Sequence, residues 1–117
     1  MSISDTAFDA WLALALAEQG PFTAHAVLLR DDAAGFIPLC GTWIDLDDAS
    51  EWSVMTLAFA GAGLAWDAAA FFPATGLLDN PAARARMQAL EAALDAEPRL
   101  LGEAALFGPD GTRRAAE

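Results

Sequence analysis

The sequence predicts an α+β fold: a mostly antiparallel sheet of four to five strands, flanked by an N-terminal helix and a second helix near the C-terminus. Three observations predict it. Residues 6–19 open on a helix start signal and carry apolar residues at helical spacing. Residues 22–44 hold two β-rich runs around an Asp/Gly-rich turn, and Asp79-Asn80-Pro81 begins a second helix that Pro98 ends. At 117 residues the chain suits one domain over 1–111, with 112–117 expected to be a mobile tail.

The first element is the most strongly marked. Thr6-Ala7-Phe8-Asp9 matches the Ser/Thr-x-x-acid capping pattern, and Phe8, Trp11, Leu12, Ala15 and Leu16 fall on one helical stripe. Gly20-Pro21 stops it, glycine by its tolerance of positive φ and proline by its missing N–H.

Residues 22–30 and 36–44 read as a hairpin around 31–35. Pro38 cannot donate to a ladder, which makes the second strand an edge or a bulged strand. With Gly35 inside a five-residue turn, Arg30 pairs with Phe36, His25 with Gly41 and Cys40 with Ala26; His25 and Cys40 then point to opposite faces. A four-residue turn would instead set His25 across from Cys40. In the five-residue register one face carries Val27, Leu29, Ile37, Leu39 and Trp43. The other carries Phe22, Leu28, Phe36, Pro38 and Cys40, so both faces are apolar. Two helices hardly cover both, which leaves one face as a candidate dimer interface, partner surface or ligand pocket unless residues 64–78 fold back over it.

Residues 45–51 form an acidic loop. Residues 52–60 alternate Trp52, Val54, Thr56, Ala58 and Ala60 with other side chains and are expected to be a third strand, with Gly61-Ala62-Gly63 as a bend or bulge. Residues 64–72 fit either a fourth strand or a short buried helix. In 81–97 Met87, Leu90 and Leu94 make an apolar stripe. Arg84 and Arg86 stand in the first turns and Glu91, Asp95 and Glu97 toward the end, the reverse of what the helix dipole favours. That reversal suggests arginines facing a partner or an acidic surface. A last strand is expected over 100–107 and a turn at Gly108-Pro109-Asp110-Gly111.

The charge is unevenly placed. The net charge is −11 with no Lys, and residues 1–83 hold eleven acidic residues against Arg30 alone. Clustered Lys/Arg for phosphate contacts are missing, which argues against direct nucleic-acid binding and favours a protein partner, a basic one by charge. Imitation of a polyanion is a third, thinner use of such charge. Alanine supplies about a quarter of the chain and adds little buried area, so Leu, seven Phe and four Trp must carry the core. This alanine-rich, lysine-free composition suits a GC-rich coding genome. The single Cys40 excludes an internal disulfide and points to a reducing, cytoplasmic setting. The apolar stretch 52–78 is interrupted by Gly61, Gly63, Asp67 and Pro73 and has acidic flanks, so no membrane span and no leader are expected.

Motifs for chemistry are few. Asp45, Asp47, Asp48 and Glu51 fail the EF-hand pattern, because Ala49 takes a ligand position and Ser50 the glycine position. Gly61-Ala62-Gly63 is followed by Trp66 where a dinucleotide fingerprint needs glycine, and no phosphate loop or hydrolase elbow occurs. No metal and no cofactor are expected. Asp67, set among Trp66, Ala68 and Phe71, would have a raised pKa if buried.

The element order is similar to that of type III secretion chaperones and other small bacterial adaptor or immunity folds. That likeness is one of architecture, and no motif in the residues carries it. The leading expectation is a small, acidic, non-catalytic protein-binding module (chaperone, adaptor or inhibitor) that forms a homodimer. Asp45, Asp47, Asp48 and Glu51 would steer a basic partner, and Trp43 and Trp52 would be its desolvated anchors. The alternative is a small-ligand domain or enzyme with a pocket lined by Trp43, Trp52, Trp66 and Phe71 and with His25 or Asp67 as its polar centre.

Overall fold

The computed structural model describes residues 6–32, 35–60 and 65–114. Among the described residues, three helices and a five-stranded antiparallel sheet make up the α+β architecture. In chain order they are α1 (Ala7–Gln19), β1 (Phe22–Asp32), β2 (Gly35–Leu46), α2 (Trp52–Ala60), β3 (Ala68–Pro73), α3 (Asn80–Ala96), a 3₁₀ turn over Pro98–Glu103, β4 (Ala105–Phe107) and β5 (Arg113–Arg114). The strands lie in the order β2-β1-β3-β4-β5.

Both long terminal helices start where the residues say. Thr6 caps α1 by accepting from the Asp9 N–H at 3.1 Å, while the Asp9 carboxylate accepts from the Thr6 N–H at 3.3 Å. Asp79 caps α3 through the Ala82 N–H at 2.9 Å, with proline in the first turn. The stripe expected on α3 is the face it buries, with Met87 and Leu94 inside and Leu90 half-buried.

The stretch expected to be a third strand is instead the helix α2. Its Trp52, Met55 and Phe59 are buried together, and this helix joins α1 over one face of the sheet. The core on that face layers Phe8, Leu12, Trp52, Met55 and Phe59 against Phe22, Phe71 and Phe107. Small strand residues (Ala24, Ala26 and Ala69) let those rings approach the sheet closely. On the opposite face α3 and the 3₁₀ turn cover Val27, Leu29, Ala68, Ala70 and Leu106 with Met87, Leu94 and Leu101. Four helical pieces therefore cover two apolar sheet faces, two on each, and no folded-back cover by 64–78 is needed. Of that stretch, Ala68–Pro73 is strand β3, which resolves the strand-or-helix ambiguity in favour of strand.

The hairpin uses neither expected register. His25 pairs with Trp43, Leu28 with Cys40, then Leu29 with Pro38 and Asp32 with Gly35. The skipped Leu39 is a bulge beside Pro38, and β2 is an edge strand, so proline sits where both expected devices meet. The bulge also turns Phe36 to the α3 face, whereas the expected register had placed it with Phe22. The centre of the turn, Gly61-Ala62-Gly63 and residues 115–117 lie outside the described residues. Within the expected tail, Arg113 and Arg114 pair with Phe107 and Leu106 and add the fifth strand.

The β4–β5 connection is the expected turn, with the Gly111 N–H bonded to the Gly108 carbonyl. The Thr112 hydroxyl and N–H donate to the Asp110 carboxylate at 2.6 and 3.1 Å and hold its pKa below the ordinary carboxylate value. Because the folded value is the lower one, this contribution is complete above the unfolded pKa and is lost as pH falls through the folded pKa. In a carboxyl-detected NMR titration, Asp110 is expected to titrate at lower pH than in an unfolded peptide of the same turn. Thr112→Val should raise its midpoint, and an unchanged midpoint would contradict the assignment.

Candidate functional site

The acidic residues singled out in the sequence separate into structural and surface groups. Asp45 lies on β2, and its carboxylate accepts the buried Thr23 hydroxyl at 2.7 Å. Asp47 closes its own loop by accepting from the Ala49 N–H at 2.9 Å. Asp48 and Glu51 face outward across α1 and, with Asp9 and Ser50, rim a groove of about 510 Å³. The α1 side chains Leu12, Ala13, Leu16 and Ala17 form its apolar wall. Asp9, marked in the sequence only as a capping residue, has a second role here. Its other oxygen accepts from the Trp52 N–H at 3.1 Å, locking the start of α2 against the start of α1 and so shaping the groove.

The helical layer around this groove is apolar on its outer side as well. On α1, Ala10, Ala13, Leu14 and Ala17 are exposed, and Leu14 is 68% accessible. On α2, Val54 and Leu57 are 52% and 76% accessible. A helix that is apolar all round normally has both sides buried.

Trp52 is not a surface anchor. It is 4% exposed, lies within 6.3 Å of the rings of Phe8, Phe59, Trp66, Phe71 and Phe107, and donates its indole N–H to the Pro109 carbonyl at 3.0 Å. The cause is the helical periodicity of 52–60, which turns Trp52, Met55 and Phe59 inward. Trp43 is half-buried on the opposite face, with the Arg84 guanidinium 5.9 Å over its ring. The Arg86 guanidinium donates to the Pro73 carbonyl at 2.9 Å. The two helix arginines thus meet an aromatic ring and a carbonyl. Among the described residues Arg99 and Arg114 reach acids, Glu97 at 2.6 Å and Asp31 at 3.2 Å.

The expected pocket around His25 and Asp67 does not assemble. Trp66 and Phe71 belong to the aromatic core under α1 and α2. His25 is fully buried on the α3 side, its Nε2 donating to the Ala83 carbonyl at 2.8 Å and its Nδ1 without a partner among the described residues. The two sides separate because β1 pairs His25 with Phe72 and Ala26 with Phe71, so His25 and Phe71 point to opposite faces. Asp67 is half-buried at the end of the sheet and accepts the Asp31 N–H at 2.7 Å, a turn-closing role. His25 and Cys40 do lie on opposite faces, as the alternation required, and form no pair. Among the described residues no group of three His, Cys, Asp or Glu could hold a metal ion, and no helix is long and apolar enough to cross a membrane.

A second groove, of about 480 Å³, was not foreseen. It lies between the bulged part of β2, from Phe36 to Gly41, and the Glu91, Leu94 and Asp95 turn of α3, over Val27. Nothing in the sequence placed α3 against that part of β2; Gly41 does so, since a Cβ there would come within 2.6 Å of the Met87 Cε. No protein-family model, curated protein or solved structure matches the chain.

Proposed function

We propose that the protein is a small, non-catalytic protein-binding module of the cytoplasm that receives a basic, amphipathic segment of a partner on its α1/α2 layer. One observation carries this reading: the apolar wall of α1 rimmed by Asp9, Asp48 and Glu51. None of these three carboxylates has an Arg ion pair among the described residues. An apolar wall supplies the contact area, and an unneutralised acidic rim selects and steers a cationic ligand. Cytoplasmic placement rests on the lone thiol, Cys40. Self-association was expected from an uncovered sheet face, and α2 removes that reason by covering it. The exposed Leu14, Val54 and Leu57 of the α1/α2 layer and the open strand edge considered below are the surfaces on which the expected homodimer would form.

The test uses a synthetic amphipathic helix of leucine and lysine as the probe. Saturable binding is expected, weakening steeply with salt because the rim is solvent-exposed. Asp48→Lys should weaken it by about tenfold or more, as should Leu14→Asp, with the unfolding midpoint little changed since both side chains are exposed. Glu103→Lys, an exposed change on the 3₁₀ turn, should leave affinity within about twofold. Binding that ignores Asp48 and Leu14, or no binding at low salt, would overturn the reading.

A further inference from the structure

The two edges of the sheet differ sharply. At one end β5 is two residues long and both are arginine, an edge too short and too charged to recruit a strand. At the other end β2 runs for twelve residues with Asp45 as its one charge. Pro38 and the bulge at Leu39 blunt its first half only. The second half, from Cys40 to Leu46, is regular and carries neither device.

Which groups point outward follows from the ladder. The Thr23 N–H and carbonyl are both bonded on the β3 side, to Gly76 and Ala74, and the Leu29 carbonyl accepts from Asp67 on that side too. The odd residues of β1 therefore face β3 and its extension, while the even ones face β2. Their partners Cys40, Thr42, Ile44 and Leu46 are the β2 residues bonded inward. Gly41, Trp43 and Asp45 then present their N–H and C=O groups to the open edge, where β2 has no neighbouring strand among the described residues. By the same alternation Pro38 faces outward, where its missing N–H disturbs no existing pair.

Beside this edge lies the 480 Å³ groove, with Val27, Phe36 and Leu94 as apolar lining and Glu91 and Asp95 at its mouth. Glu91 and Asp95 stand four apart on α3, a like-charge spacing that costs helix stability. Neither has an ion pair among the described residues. An apolar cleft with two carboxylates at its rim fits a side chain with an aliphatic stem and a cationic head.

We propose that the β2 edge from Gly41 to Asp45 is a strand-addition site for an extended, basic segment of a partner protein, and that one Arg or Lys of that segment occupies the Val27/Leu94 groove under Glu91 and Asp95. Main-chain bonds give such a site its affinity, and the adjoining pocket gives it its preference. Charge selects this occupant over a second copy of the chain. In an antiparallel self-pairing centred near Trp43, the partner copy's strand would continue into its own Asp47 and Asp48 beside Glu91 and Asp95, placing four acids together. This surface is separate from the α1 groove and stands or falls on its own observations.

The probe is a short extended peptide of alternating threonine and valine with one central arginine, titrated into the isotope-labelled protein. The expected result is saturable binding with amide shifts at Gly41, Trp43 and Asp45. N-methylation of the peptide amides that face β2 should lower affinity at least tenfold, whereas methylation of the outward amides should leave it unchanged. Replacing the arginine by norleucine, or making Glu91→Gln with Asp95→Asn, should cost about tenfold without lowering the unfolding midpoint, since both acids are exposed and repel one another. Binding indifferent to N-methylation would overturn strand addition, as would no saturable binding at millimolar peptide. A doubled solution mass with the Gly41, Trp43 and Asp45 amides protected from exchange would overturn the partner assignment by showing a second copy on the edge.

Discussion

Trp52→Ala is expected to lower the unfolding free energy by about 3–5 kcal/mol, the range for deleting a buried aromatic ring. The indole fills the centre of the helix-covered face, between Phe8 at 4.8 Å and Phe71 at 6.2 Å, and tethers the β4–β5 turn through Pro109. Neither loss can be made good, because the surrounding rings are held by the sheet on one side and by α1 on the other. Against a typical stability of about 5–15 kcal/mol this one change removes a large share. Urea unfolding monitored by circular dichroism should show a lower midpoint with little change in slope. Had Trp52 been a surface anchor, the same variant would lose binding and keep its midpoint; a change under about 1 kcal/mol would favour that role.

Gly111→Ala is expected to cost nearly as much, for a different reason. Gly111 sits at φ +81, where a Cβ alone costs about 1–2 kcal/mol. That Cβ would also lie 2.7 Å from the Thr6 Cβ and 2.8 Å from the Trp52 ring. Its carbonyl accepts the Phe8 N–H at 3.2 Å, so a shift of the turn would pull on α1 as well. Overpacking of this kind adds about 1–3 kcal/mol. Gly76→Ala separates the two contributions, because Gly76 has φ +74 with nothing within 4 Å of its absent Cβ. Equal losses from the two variants in urea unfolding would show that the contact with Thr6 and Trp52 carries no weight.

These two variants bracket what could be read from the chain. Ends of helices were legible because caps are local: Thr6 with Asp9, and Asp79 with Pro81, name their own positions. Pro38 announced an edge and a bulge for the same local reason. The segment 52–60 was misread because it is apolar almost throughout. Trp52, Val54 and Thr56 alternate as a strand would, while Trp52, Met55 and Phe59 recur as a helix would, and nine residues suit either. Its helical identity comes from tertiary packing onto Phe8 and Phe71, which no local signal encodes.

The hairpin register failed at Gly35. Its φ of +126 is the positive value expected of it, but it pairs with Asp32 instead of sitting wholly inside the turn. The acidic rim was half legible: Asp48 and Glu51 stood out by composition, whereas Asp9 was hidden by its capping role. Glu91 and Asp95 were visible as misplaced helix charges. Only the approach of Met87 to Gly41 shows what they border.

The most direct test of the binding-module account is a residue-resolved NMR titration with the leucine–lysine helix at low and high salt. Shifts confined to α1 and residues 48–51 of the acidic loop, fading as salt rises, are the result the account predicts. Absence of shifts at low salt, or shifts centred on the buried Trp66 and Phe71 core and indifferent to salt, would contradict it.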